Sequence, residues 1–267
     1  MSDAMPPWEL MWLLAAAIYA GCKALTWGTA RIPQTPAWKQ TAYLLGWPGM
    51  DAARFLGNAT APNCSSESQA AATKVGVGAV LLFGVARMIP SHLEYLAGWI
   101  GMLGLILILH FGIFHLLCCF WRTLGFDARP LMNHPMRSTS LGEFWGQRWN
   151  TAFRDLTHRF LFRPLASRIG PRFGLLAGFL VSGAVHEFVI SVPAHGGYGG
   201  PTLYFAIQGV GIVVERSRFG RGVGLGSGWL GRTFMMLVLI APVCFLFHGP
   251  FVVRVIVPFM RAVGALR

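Results

Sequence analysis

An all-α, polytopic helical membrane bundle, with about five to seven crossings plus an interfacial or re-entrant helix, is the fold class this sequence predicts. Three observations carry the prediction. Hydrophobic residues make up 54% and charged residues only 12% of the 267-residue chain, against about 25% charged in an ordinary soluble domain. The apolar residues gather into stretches near the length that crosses about 30 Å of hydrocarbon. These stretches are uninterrupted and lack the alternation of a membrane barrel strand.

The first stretch, Trp8 to Gly28, carries its only charges, Glu9 and Lys23, towards its ends. It has no basic leader and no small-residue cleavage site, so it is expected to be a span and not a cleaved signal peptide. The hydrophilic, small-residue stretch from Gly57 to Thr73 is expected to be a loop, and Val75 to Ile89 is marginal in length for a span. Leu93 to Trp121 is the strongest span, long enough to cross with tilt around its uncharged core from Gly101 to Leu109. Phe173 to Val192, Thr202 to Val214, and Thr233 to Met260 broken at Pro242 and Pro250 complete the set. No internal repeat or long polar linker separates two folding units, so a single domain is expected over residues 1–267.

The net charge of +12 is unevenly placed. Nine arginines fall between Arg122 and Arg172 (Arg122, Arg129, Arg137, Arg148, Arg154, Arg159, Arg163, Arg168, Arg172), against only Asp127, Glu143 and Asp155. Arg216, Arg218, Arg221 and Arg232 lie in or beside the next polar loop. The positive-inside rule accounts for both loops if they face the cytosol, in a bacterial inner membrane or an endoplasmic reticulum alike. Nucleic acid is not needed as a partner. Some of these arginines have a second possible use, receiving a phosphate-bearing anion through charge-assisted hydrogen bonds.

The five cysteines, Cys22, Cys64, Cys118, Cys119 and Cys244, lack the paired spacing of a disulfide framework and are expected to be packing residues. His110 and His115 precede Cys118 and Cys119 on one stretch, but no carboxylate joins them at a ligand spacing, so no metal is expected. Asn58-Ala-Thr60 and Asn63-Cys-Ser65 fit the glycosylation pattern, which is short and common by chance. Gly226 to Gly231 matches a dinucleotide glycine pattern, yet no strand precedes it, and a flexible loop is expected there.

The segment after Met132 differs from its surroundings. Ser140, three residues before Glu143, makes a capping box, so a helix is expected from Leu141 towards Arg154. Gly142, Gly146 and Asn150 would form one strip on it, among Phe144, Trp145, Trp149 and Phe153, a composition suited to the membrane interface. In the later span, Gly174, Gly178, Ser182 and His186 are likewise four apart. Small-residue strips are where membrane helices approach closely, so the two strips are expected to face one another or a shared cavity, bringing Asn150 and His186 together. A His and a Glu side by side, His186 and Glu187, are costly in an apolar span and commonly line a cavity or pathway.

The string from Pro135 to Asn150, then Phe160 to Pro164, then Phe179 to Glu187, resembles the wax synthase branch of the membrane-bound O-acyltransferases. Phe245 to Phe251 with Val257 to Phe259 resembles it more loosely, and the N-terminal third only in hydropathy. The resemblance implies a bundle of that family's type, moving an acyl group from a coenzyme A thioester to an alcohol hydroxyl, as in wax ester synthesis. The family's Asn and downstream His fall on Asn150 and His186. It further implies acyl-CoA as co-substrate with no bound cofactor, and a lipid alcohol within the membrane as acceptor. Arg148, Trp145, Trp149, Ser182 and Glu187, which lie beside that pair in the sequence, are the expected substrate-binding positions, with Glu187 a supporting or packing group in the other reading.

The residue types suit that chemistry. Neutral imidazole can take the proton of an attacking alcohol near pH 7, which makes His186 the base. Asn150 can orient the acceptor or hydrogen-bond the carbonyl oxygen as charge develops on it. Glu187 points about 100° away from His186 on a helix. A serine hydrolase is disfavoured by the absence of G-x-S-x-G. A small transporter or channel using His186 and Glu187 as a proton or ion site is the competing class, but most other spans are plain, and His195 sits in a glycine-rich loop.

Overall fold

A computed structural model describes residues 5–32, 34–59, 61 and 64–267. The described residues are helical, without strands. Five helices are long and apolar enough to cross a membrane: α1 (Pro7–Gly28), α3 (Ser66–Met88), α4 (Ser91–Thr123), α7 (Pro171–Ala194) and α9 (Gly228–Leu246). Between them lie α2 (Ala37–Gly46), α5 (141–148), α6 (151–169) and α8 (Gly200–Glu215), and α10 (249–262) follows. The predicted span from Thr202 to Val214 is thus a helix of 16 residues, which is short for a crossing. Thr60 and Asn63, one residue of each glycosylation pattern, lie outside the described residues.

Two expectations are corrected. The stretch from Gly57 to Thr73 is a loop only at its start, because a helix begins at Ser65 and runs on into the apolar Val75 to Met88. The tail of small and polar residues is simply the first turns of α3, which lengthens a span that looked marginal. In the C-terminal stretch both expected breaks are present: the α-helical part of α9 ends at Ile240, a turn at Ala241 and Pro242 leads into its last turn Val243–Leu246, and the chain turns extended at Phe247 and His248 before Gly249 and Pro250 start α10. The second correction concerns Gly226 to Gly231, which holds the N-terminus of α9.

The chain forms two compact units that interleave along the sequence. One comprises Ala17–Asn133, Asn150–Leu156 and Met260–Arg267. In it α3 and α4 approach through glycine: a Cβ on Gly78 would sit 2.7 Å from the Gly104 carbonyl oxygen, and one on Gly104 2.8 Å from that of Gly78. Its aromatic core centres on Phe55, 1% exposed, with Tyr43, Trp47, Trp121 and Phe126 around it. Burying one such ring is worth about 1.5–3 kcal/mol. Arg54 pairs with the buried Asp127 beside this cluster. Cys64 and Cys119 are paired across 55 residues of sequence, correcting the expectation of mere packing. Their meeting depends on α3 and α4 lying against one another, which no local spacing reveals.

The other unit holds the residues up to Ala16, His134–Trp149 and Thr157–Phe259. Its central contact is between α7 and α8, where a Cβ on Gly183 would lie 2.7 Å from Thr202 Cα. A second core forms from Leu141, Phe144, Ile212, Met235 and Leu239.

Candidate functional site

His186 is the last α-helical residue of α7 before the backbone widens into a π-turn over Glu187–Ser191. Its Nδ1 lies 2.7 Å from the Ser182 carbonyl oxygen. A carbonyl can only accept, so Nδ1 carries the proton and donates, and in the neutral ring Nε2 keeps its lone pair. The backbone therefore selects the tautomer. The ring packs on Phe205 of α8, centroids 4.4 Å apart. Phe205 in turn meets Trp145 of α5 at 5.7 Å, and Trp145 meets Phe179 of α7 at 5.8 Å. His186 thus sits behind an aromatic wall.

Ser182 contributes its carbonyl to His186, while its hydroxyl donates to the Gly178 carbonyl at 2.9 Å. Glu187 braces the helix pair: Oε1 accepts from the Thr202 N–H at 3.1 Å and the Thr202 hydroxyl at 3.0 Å. Its other oxygen, Oε2, is buried without a hydrogen-bond partner in the structure. These bonds cross where Gly183 lets α7 and α8 close up, so Glu187 and Gly183 together fix the position of Phe205 against His186.

α5 begins where the sequence predicts. Ser140 Oγ accepts from the Glu143 N–H at 3.0 Å, and Glu143 reaches back one residue further than in the usual capping box, to the Thr139 N–H at 2.8 Å. The Thr139 amide and then Arg148 hold the Glu143 carboxyl below the ordinary carboxylate range. Arg148 is committed to this pair, its Nε 2.7 Å and a terminal nitrogen 2.6 Å from Glu143 Oε1. From α8, Glu215 accepts the Leu141 N–H at 2.6 Å and the Gly142 N–H at 3.2 Å, a carboxylate on a helix N-terminus. Burial pushes its carboxyl up, and those two amides and Arg216 oppose that shift. Trp145 Nε1 donates to Gln208 Oε1 at 3.2 Å, and Gln208 Nε2 donates to the Val238 carbonyl at 2.8 Å. Trp149 stacks on Phe144 at 5.4 Å.

The expected helix from Leu141 to Arg154 is broken. Trp149 is extended, Asn150 has φ of +40° in the left-handed region, and a new helix starts at Thr151. Asn tolerates this conformation because its short side chain bonds locally. Here Asn150 Oδ1 accepts the Phe153 N–H at 3.2 Å, capping α6, and the Asn150 N–H meets Met132 Sδ at 3.4 Å. With Oδ1 used as a cap, the Nδ2 group has two N–H donors to offer.

Asn150 therefore does not continue the Gly142–Gly146 strip. Gly142 faces Glu215 and Arg216, and a Cβ at either Gly146 or Gly178 would meet nothing within 4 Å. The two glycine strips do not close on one another; α5 reaches α7 through Trp145 and Phe179 instead. Aromatic rings set the spacing there, which the count of small residues could not show.

Sequence reasoning missed Phe205, Gln208 and Glu215, whose signals were a polar amide in an apolar run and an acid at its end. It also missed Ser191 and His248, a buried pair with Oγ and Nε2 3.1 Å apart. His248 Nδ1 accepts the Phe251 N–H at 3.2 Å and caps α10. With Nδ1 accepting, Nε2 is the protonated nitrogen and donates to Ser191, which makes this histidine a structural donor.

Residues 128–207 match the family described as membrane bound O-acyl transferase. The chain is 37% identical over 107 residues to "Probable long-chain-alcohol O-fatty-acyltransferase 3" of Arabidopsis thaliana, a match covering 35% of this chain and 30% of that protein. It is 35% identical over 103 residues to the long-chain-alcohol O-fatty-acyltransferase of Simmondsia chinensis, covering 35% of this chain and 29% of the relative. The matched stretch is thus less than a third of either relative's length.

Proposed function

We propose that this chain, whose residues 128–207 belong to the membrane bound O-acyl transferase family, transfers an acyl group from acyl-CoA to the hydroxyl of a long-chain alcohol. The single observation that supports it best is the 2.7 Å bond from His186 Nδ1 to the Ser182 carbonyl. That bond turns the other nitrogen into a proton acceptor without any carboxylate partner.

In this reading, Nε2 of His186 removes the alcohol proton as the oxygen attacks the thioester carbonyl. The carbonyl oxygen takes the charge, and Asn150 Nδ2, through the resemblance and its uncommitted N–H pair, is the donor assigned to it. The intermediate collapses by breaking the carbon–sulfur bond, and the imidazolium returns the proton to the departing coenzyme thiolate. No covalent acyl-enzyme is needed. Trp145, Phe179 and Phe205 give an apolar face for acyl or alkyl chain, and Trp149 extends it through Phe144. Arg148 meets the coenzyme phosphates only if its pairing with Glu143 leaves N–H groups to share, and Arg154, Arg159 and Arg163 are the further candidates. The compartment, with the arginine-rich loops on the cytosolic side, belongs to the same proposal.

Purified protein in detergent, given labelled acyl-CoAs and a panel of alcohols of rising chain length, tests the reading. Ester formed by the parent and lost in Asn150→Ala and His186→Ala supports it. A folded parent that forms no ester with any alcohol, or variants that match it, rejects it. An Arg148→Glu variant with an unchanged KM for acyl-CoA removes Arg148 from the coenzyme site.

A further inference from the structure

At one end of the α3–α4 pair, far along the helices from the close approach of Gly78 and Gly104, four ligand-bearing side chains converge. Cys64 stands just before α3 and Glu67 in its first turn, while His115 and Cys119 lie one turn apart on α4. One ligand atom each from Cys64, Glu67 and Cys119 falls within 4.8 Å of the others. The two cysteines are 3% and 6% exposed, with Cα atoms 5.6 Å apart, a separation that serves a disulfide or a shared metal ion equally. His115 Nε2 lies 3.0 Å from Glu67 Oε2, and an Arg122 terminal nitrogen lies 3.9 Å from the same oxygen.

The stretch that carries His115 and Cys119 has no carboxylate of its own at ligand spacing, and the fold brings Cys64 and Glu67 to it from the start of α3. We propose that, with Cys64 and Cys119 reduced, their two thiolates and the Glu67 carboxylate bind a zinc-class divalent cation that clamps the start of α3 to the end of α4. Two thiolates and a borderline-soft d10 ion are matched in chemistry, whereas calcium or magnesium would call for an all-oxygen set. The charges also close. Two thiolates and one carboxylate around a doubly charged ion leave one negative charge, and Arg122 stands beside Glu67 to meet it. Each thiol gives its proton to solvent on binding, so loading is favoured by rising pH. His115 acts as a positioning residue, holding the Glu67 carboxylate in place through its contact with Oε2.

The full chain, freed of any histidine tag and kept reduced with a phosphine in detergent, is dialysed against zinc and then metal-free buffer, and its zinc is counted. About one ion per chain is expected in the parent. Cys64→Ser and Cys119→Ser should abolish it, and His115→Ala should weaken affinity about 10-fold or more. Cys22→Ser and Cys118→Ser, outside the cluster, should leave it unchanged. Cobalt loading of the parent needs no variant to fold, and should produce thiolate-to-metal charge-transfer absorption. A reduced parent that shows no such absorption overturns the proposal. So does a Cys64→Ser protein that keeps the parent's zinc, or a chain isolated as the Cys64–Cys119 disulfide that takes up no metal after reduction.

Discussion

Gly183→Ala tests how tightly the α7–α8 contact is drawn. The added Cβ would stand 2.7 Å from Thr202 Cα and 3.4 Å from Thr202 Cβ, where ordinary contact begins near 3.4 Å. Because the nearest atom is backbone, no side chain can swing aside, and the two helices must part by about 0.7 Å. Overpacking of this kind costs about 1–3 kcal/mol, and the helix preference of Ala over Gly returns only about 0.5–1 kcal/mol. Parting the helices also stretches both Thr202 bonds to Glu187 and lifts Phe205 from the His186 ring. Gly178→Ala, five residues earlier on α7, is the matched control, since a Cβ there would meet nothing within 4 Å. Thermal unfolding in detergent should show Gly183→Ala below the parent by several degrees, at about 2–4 °C per kcal/mol, and Gly178→Ala at or slightly above it. Equal melting temperatures for the two variants would refute the claim that Gly183 sets the helix separation.

Ser182→Ala should retain most of the parent's ester-forming rate, because the His186 ring is held by the Ser182 carbonyl and not by its hydroxyl; a loss as large as that of a catalytic substitution counts against this geometry. Gln208→Leu strands the Trp145 N–H and the Val238 carbonyl in a site with 0% exposure, and should lower stability by about 1–3 kcal/mol in denaturant titration. Glu143 has a folded pKa below its unfolded one. Its contribution is thus present above the ordinary carboxylate value of about 4.3 and is lost as pH falls through the folded value. A melting-temperature profile over acid pH should therefore flatten on its acidic side in Glu143→Gln, and an unaltered profile would contradict the assignment.

The helical class and the main spans were legible in the sequence because lipid imposes one simple condition, a long apolar run. The start of α5 at Ser140 was legible too, since the capping box is a contact between near neighbours. What escaped were features made by tertiary placement. The break at Asn150 depends on a left-handed residue and a cap, and periodicity carried across it treated two helices as one. The contact between α5 and α7 was assigned to glycines, but bulky rings at Trp145 and Phe179 arrive first. Glu187 was recognisable as a costly acid, yet its brace to Thr202 depends on the crossing of α8 at Gly183. The Cys64–Cys119 pairing was invisible for the same reason.

The rate of ester formation by His186→Ala, in a single turnover with saturating acyl-CoA and the best alcohol, tests the assignment of the base most directly. General-base catalysis is worth about 10²- to 10⁴-fold, so a folded variant with the parent's melting behaviour should slow by at least the lower figure. A variant that forms ester within a few-fold of the parent would contradict the account.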